Sequence, residues 1–304
     1  MKEKESMAYR AFFDDKREFG IELEGFGFSR LEIVEALEQE RIPTSLGDSY
    51  SAGVQKWTIG FDSTIKQLYP VEIISPILSG EKGFHQVKKV CAVLNRMGFQ
   101  TDQSCGFHIH WSVADYTGRS VINLLRLYGK YEKVLDFLFD ESRRGDESDF
   151  AHSLIKEGGI GWTYILDKPF FYQAYQIAKE FEDTQRTKNK TSFPSARHHK
   201  VNVCAINKYR TIEFRQHQGT FDYEEIKNWL VLSQQLINRA KDSLVLEGIS
   251  TWESMNKTLG LTESQLRESM ETGDKFLLRD MRDFYRKIYR ENKEKEKVYA
   301  SHMG

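Results

Sequence analysis

The sequence predicts an α+β protein in which a mostly antiparallel sheet of about six strands is flanked by helices. Three short segments alternate between polar and apolar residues, the period of a strand with one covered face, and a fourth sets one glutamate between apolar neighbours. Longer segments between and after them carry apolar residues at helical spacing. Strands and helices follow one another irregularly, and two strand pairs have short connections, which argues against a doubly wound parallel sheet.

Residues 1–17 are polar and read as a lead-in to a main domain over 18–248. The first strand, 18–24, puts Glu22 and Glu24 on one face, and a helix follows over 29–40. Gly25-Phe26-Gly27 between them only superficially resembles a dinucleotide fingerprint, because the third glycine is missing and the strand is acidic. Residues 53–62 and 70–75 read as antiparallel neighbours, the second carrying Glu72 and stopped by Pro76. A helix over 82–97 ends at Gly98. In Cys105-Gly106-Phe107-His108-Ile109-His110-Trp111 the alternation sends both histidines to one face and the large apolar residues to the other.

A helix over 120–140 ends in Ser142-Arg143-Arg144-Gly145. Residues 145–200 hold a helix after Pro169 and a basic run over 186–190, and have the character of an excursion from the sheet or a lid. Two strands, 200–206 and 210–218, then form a hairpin turning at Asn207-Lys208-Tyr209, and the second holds Glu213 and Arg215 on one face. Asp222 opens a helix over 223–246 with a capping box. A helical extension over 249–304 has a further helix opening at Thr262 and a charged one over 274–295.

With 304 residues, 39% hydrophobic and 29% charged, the chain has the composition of a globular protein. A net charge of −1 provides no general basic field for nucleic acid. No run approaches the roughly 20 apolar residues that span a bilayer. Cys91, Cys105 and Cys204 are odd in number and widely spaced, unlike a disulfide framework or a zinc site. A reduced, cytoplasmic protein is the expectation.

If the four strands share one sheet, a single face collects Glu22, Glu24, Glu72, Glu213, His108, His110 and Arg215. Two glutamates two residues apart lie roughly 7 Å from each other, which at an effective dielectric near 20 costs on the order of 2 kcal/mol. Such a face suits divalent cations and phosphate. Taken singly, each feature has a plainer reading. Glu213 and Arg215 pair as a salt bridge, either histidine is a satisfied core residue, and Arg143 and Arg144 close a helix at its negative end. Arg197, His198 and Lys200, with Lys188 and Lys190, read as a solvated loop.

Seven motifs then occur in order: Phe19-Gly-Ile-Glu-Leu-Glu24, Trp57-Thr-Ile-Gly-Phe-Asp-Ser63, Glu72-Ile-Ile-Ser-Pro76, Cys105-Gly-Phe-His-Ile-His110, Ser142-Arg-Arg144, Val201-Asn-Val203 and Thr211-Ile-Glu-Phe-Arg215. Over about residues 19–236 the chain resembles the amidoligase family of the carboxylate–amine ligase superfamily, related to glutamine synthetase and glutamate–cysteine ligase. The resemblance implies a glutamine-synthetase-like catalytic domain and ATP-dependent formation of an amide or peptide-like bond through an acyl phosphate. It implies that Glu22, Glu24, Glu72, His108 and Glu213 hold Mg²⁺ (or Mn²⁺), Glu22 and Glu24 serving different ions. It implies that His110, Arg215, Arg143 and Arg144 face ATP phosphates, with Glu213, His110 and Arg215 in catalysis. Trp57, Asp62, Ser63 and Asn202 are candidates for contact with small-molecule or peptide carboxylate and amine substrates. The competing readings are a metal-dependent hydrolase, which needs no ATP, and a binding module that keeps the fold without the chemistry.

Overall fold

The computed structural model describes residues 9–47, 55–155, 168–182, 197–242, 244–246, 248–268 and 274–302. The basic run over 186–190 lies outside them. Among the described residues, seven strands form a single sheet: β1 (Phe19–Gly25), β2 (Thr44–Leu46), β3 (Trp57–Gly60), β4 (Val71–Ile74), β5 (Gly106–Ser112), β6 (Val201–Asn202) and β7 (Thr211–Gln218). Their spatial order is β2-β3-β4-β1-β5-β7-β6, and every pair is antiparallel except β2 with β3. Strand β2 is the one that alternation does not announce, since three residues are too few to show a period.

The helices are α1 (Arg30–Gln39), α2 (Gly80–Met97), α3 (Gly118–Asp136), α4 (Lys168–Glu182), α5 (Ala205–Tyr209), α6 (Tyr223–Ala240), α7 (Trp252–Thr258), α8 (Glu263–Glu268) and α9 (Asp274–His302). Their ends follow local chemistry. Ser29 and Glu32 form a reciprocal capping box at α1, and Gly98 ends α2 in the left-handed region at φ 77°. The hairpin expected at residues 207–209 is instead α5, which shortens the preceding strand to two residues. Arg210 follows at φ 57° and turns the chain into β7.

One face of the sheet is sealed. Ile21 and Leu23 of β1, Ile109 and Trp111 of β5, and Ile212 and Phe214 of β7 are buried beneath α2, α3 and α6. Each such side chain contributes about 1.5–3 kcal/mol when fully removed from water. The Trp111 indole nitrogen donates to Ser233 Oγ of α6 at 2.8 Å, so the ring is buried without an orphaned donor. Residues 9–17, expected as a lead-in, pack over the far side of α6. Gln234 exchanges two hydrogen bonds with the Asp14 backbone (2.8 and 3.0 Å), and Gln235 and Asn238 donate to Phe12 O. Arg17 forks onto Asp115 at 2.7 and 2.9 Å. This covering explains why α6 is buried on nearly all sides.

Lys200 belongs to the interior rather than to a solvated loop. Its ammonium, 0% exposed, lies 2.9 Å from Glu132 Oε1 and 2.7 Å from Asp136 Oδ1, tying the start of β6 to α3. Burial holds the Glu132 carboxyl above its ordinary range despite that ammonium. Lys200→Met therefore leaves a buried carboxylate without its cation, and the expected loss is roughly 3–5 kcal/mol in urea unfolding. Adding Glu132→Gln is expected to recover part of it. Equal stability of Lys200→Met and the parent would contradict this role.

Candidate functional site

Register brings the acidic and imidazole residues together on the open face. Glu24 stands opposite Glu72, Glu22 opposite His108, His110 opposite Glu213, and Glu213 opposite Asn202. A β-bulge interrupts the last part of this pattern. Between the pairs Phe107↔His217 and Ile109↔Phe214 there is one residue on β5 and two on β7. Arg215 thus stays on the open face with Glu213, while His217 turns into the core against Phe107, Phe139 and Trp229. Burial pushes the His217 imidazole down to about 4, so it is a neutral packing residue.

The contacts within the group are short. His108 Nδ1 lies 3.1 Å from Glu22 Oε2 and 3.6 Å from both Glu24 Oε1 and Glu213 Oε1. His110 Nε2 lies 3.1 Å from Glu22 Oε1 and 3.8 Å from Glu213 Oε1, and its Nδ1 is 3.2 Å from Thr211 Oγ1. Arg215 pairs with Glu213 Oε1 and donates from Nε to Phe150 O at 3.0 Å. Asn202 donates to Glu213 Oε2 at 2.6 Å while its own carbonyl accepts from Cys204 N, which fixes the amide and through it the carboxylate. Glu24 Oε2 accepts from Gly106 N at 2.6 Å.

Charge and burial compete at each position. Burial raises the Glu22 carboxyl, but His110 and His108 outweigh it and hold the group well below its usual range. Burial likewise raises Glu213, and Arg215 with His110 brings it below. Burial lowers His110, and Glu213 and Glu22 overturn that and raise it. Glu72 has no such partner. Burial first, then Glu22, Glu24, Asp62 and Glu213, pushes its carboxyl up to about 9.

Two sets of three side chains can each hold a cation: Glu22, His110 and Glu213, and Glu24, Asp62 and Glu72. Within each set the donor atoms lie within 4.8 Å of one another. Carboxylates with one imidazole suit Mg²⁺ or Mn²⁺ better than a thiolate-seeking ion. Glu22 and Glu24 fall in different sets. His110 joins a set, whereas His108 belongs to neither and bridges Glu22 to its neighbours. Asp62, expected at substrate, joins the second set because Gly60 pairs with Glu72 and the chain turns over that residue.

The group floors a cleft of about 850 Å³ that Lys66, Arg143, Arg197, Lys208 and Arg215 also line. Arg143 is buried, and its Nε has no hydrogen-bond partner among the described residues. Arg144 does not reach the cleft. It donates to Phe139 O at 3.1 and 2.9 Å and lies over the Phe137 ring, closing the end of α3. Trp57 is also absent from the cleft. Its strand alternates, Gly60 shares the face of Glu72, and so Trp57 and Ile59 fall on the core side at 0% exposure. Ser63 and Asn202 line the cleft. Arg197 and Lys208 reach the cleft without any sequence signal, since an isolated cation carries no periodicity. The Cys105 thiol is pushed up to about 11 by burial and is no nucleophile.

A sheet face of paired acids thus lies inside a cleft rimmed with arginine and lysine. A family model described as "Putative amidoligase enzyme" matches residues 15–237, well over half of the chain, and the chain belongs to that family of ligase-type enzymes. Comparison with curated proteins returns no match. No helix among the described residues is long and apolar enough to cross a membrane.

The raised Glu72 carboxyl has a thermodynamic consequence. The folded protein keeps a proton that the unfolded chain loses near 4.5, so this contribution to stability is full below that pH and is lost as pH rises to about 9. With chelator present, the unfolding temperature is expected to fall across that window, less steeply in Glu72→Gln. Mn²⁺ is expected to raise it most at the alkaline end. An identical slope in both proteins would remove Glu72 as the source.

Proposed function

We propose that the protein is an ATP-dependent carboxylate–amine ligase on a glutamine-synthetase-like sheet, working through an acyl phosphate. The observation that carries this reading is the placement of two acidic donor sets beside Arg215 in one cleft, in a chain of the amidoligase family. Phosphoryl transfer needs little covalent help from the protein. It needs charge neutralised on the polyphosphate and the reacting oxygens held in line.

Divalent cations, when bound, would supply most of that neutralisation, held by Glu22, His110 and Glu213 and by Glu24, Asp62 and Glu72. Arg215 adds a fixed positive charge that Glu213 aims and the Phe150 carbonyl anchors. Arg143, which also lines the cleft, supplies a second, held in place by its hydrogen bond to the Cys105 carbonyl. Asn202 acts at one remove, orienting Glu213. In this reading the acid substrate's oxygen attacks the γ-phosphorus of ATP, ADP departs, and the amine nitrogen then displaces phosphate from the acyl carbon. A P-loop is unnecessary, because cations and guanidinium groups take its place. The cationic side chains around the cleft favour this reading over a hydrolase, whose water needs no polyphosphate clamp.

The test is calorimetric titration of a non-hydrolysable ATP analogue, with and without Mg²⁺, into the parent and Glu213→Gln. Binding that requires Mg²⁺ and weakens about tenfold or more in the variant is expected. No binding to the parent under either condition would overturn the ligase reading.

A further inference from the structure

A second cavity of about 270 Å³ opens beside the main cleft and shares Glu22, Glu72 and His110 with it. Its floor exists because residue 20 is glycine. Gly20 lies on the same sheet face as Glu22, and a Cβ there would meet only Ser75 Oγ, at 3.7 Å. Ile74, Ile77 and Tyr209 supply apolar walls, and Ile77 is 44% exposed. Glu18 joins Glu22 and Glu72 as a third carboxylate in the lining. Among the described residues no lysine or arginine lines this cavity, whereas five line the main cleft.

We propose that this cavity is the acceptor subsite and takes a primary amine carried on an apolar aliphatic or aromatic body. The inference rests on the ligase reading and names its amine class. An ammonium group at the inner end meets the carboxylate oxygens of Glu22 and Glu72 that the donor sets do not use, Glu18 adds a carboxylate outside both sets, and the carbon body meets Ile74, Ile77 and Tyr209. A free amino acid brings an α-carboxylate, and a nucleotide brings phosphates, with no lysine or arginine in the cavity to receive either. The volume admits about nine groups of water size, at ~30 Å³ each, which suits hexylamine or benzylamine.

The shared residues put the amine nitrogen at the junction with the cleft, where the acyl phosphate would form. There the nitrogen bonds to the acyl carbon and the carbon–oxygen bond to phosphate breaks. Of the two protons the ammonium must lose, one goes to solvent and one leaves on the hydrogen phosphate. The product is a secondary amide.

The experiment is calorimetric titration of the full chain, with Mg²⁺ and the ATP analogue present, using hexylamine, hexanoate and norleucine. The same titrations are made on Gly20→Leu, which fills the floor, and on Ile77→Lys, which places a cation at the wall. Hexylamine is expected to bind the parent, with hexanoate and norleucine about tenfold weaker or worse. Both variants are expected to weaken hexylamine by about tenfold or more while leaving the affinity for the ATP analogue unchanged. If Gly20→Leu fails to fold, Ile77→Lys at its exposed position still decides the matter.

Failure of hexylamine to bind, or equal binding of hexanoate or norleucine, would overturn the proposal. Loss of the ATP analogue's affinity in the variants would do so too, by assigning the cavity to the nucleotide base. Failure of the ATP analogue to bind the parent at all would sink the ligase reading instead. That outcome is read separately from hexylamine binding to the Mg²⁺-containing protein.

Discussion

Four glutamates and an aspartate crowd onto one face of a sheet whose other face is sealed in apolar side chains. Their mutual repulsion has to be offset without giving up the strand register that puts them there. Part of the offset is internal: His108 and His110 reach Glu22, and Arg215 reaches Glu213. Glu72 is left over: burial first, and then the neighbouring carboxylates, push its carboxyl up to about 9. A face this acidic in the absence of cations is poised to take them, since each cation removes repulsion that the fold otherwise has to bear.

The rigidity of the opposite face makes that poise possible. Trp111, Phe214 and Ile109 are locked under α2, α3 and α6, so the strands cannot slip to relieve the repulsion. A slip of one residue would turn the glutamates inward and the aromatic residues out to water. The bulge in β7 serves the same end: it keeps Glu213 and Arg215 on the open face while returning His217 to the core. The fine orientation of individual carboxylates can then be left to second partners, as Asn202 holds Glu213.

Much of this was legible in the sequence because alternation is a local property. The open-face positions of Glu22, Glu24, Glu72, Glu213, His108 and His110 follow from period two alone, and the mostly antiparallel pairing follows from the short connections between strands. What alternation does not carry is register, and register decides partners. It moved Asp62 beside Glu72, put His110 rather than His108 into a donor set, and placed Trp57 in the core. Two strand neighbours with opposite parity, Trp57 and Thr58, look equally polar-facing until the pairing of Gly60 with Glu72 is known. Arg143 and Arg144 pose the same problem. Adjacent in sequence, they point to different places, one into the cleft and one onto the carbonyl of Phe139. Lys200 departs from its solvated-loop expectation for a different reason: its two carboxylate partners lie on α3, far away in sequence, and a lone lysine shows nothing of them.

On the proposed reading, this sheet face holds two divalent cations in separate donor sets. Crystals soaked in Mn²⁺ and measured for anomalous scattering test it most directly. Two peaks are predicted, one among Glu22, His110 and Glu213 and one among Glu24, Asp62 and Glu72. No peak on this face, or Mn²⁺ bound only elsewhere on the protein, would contradict it.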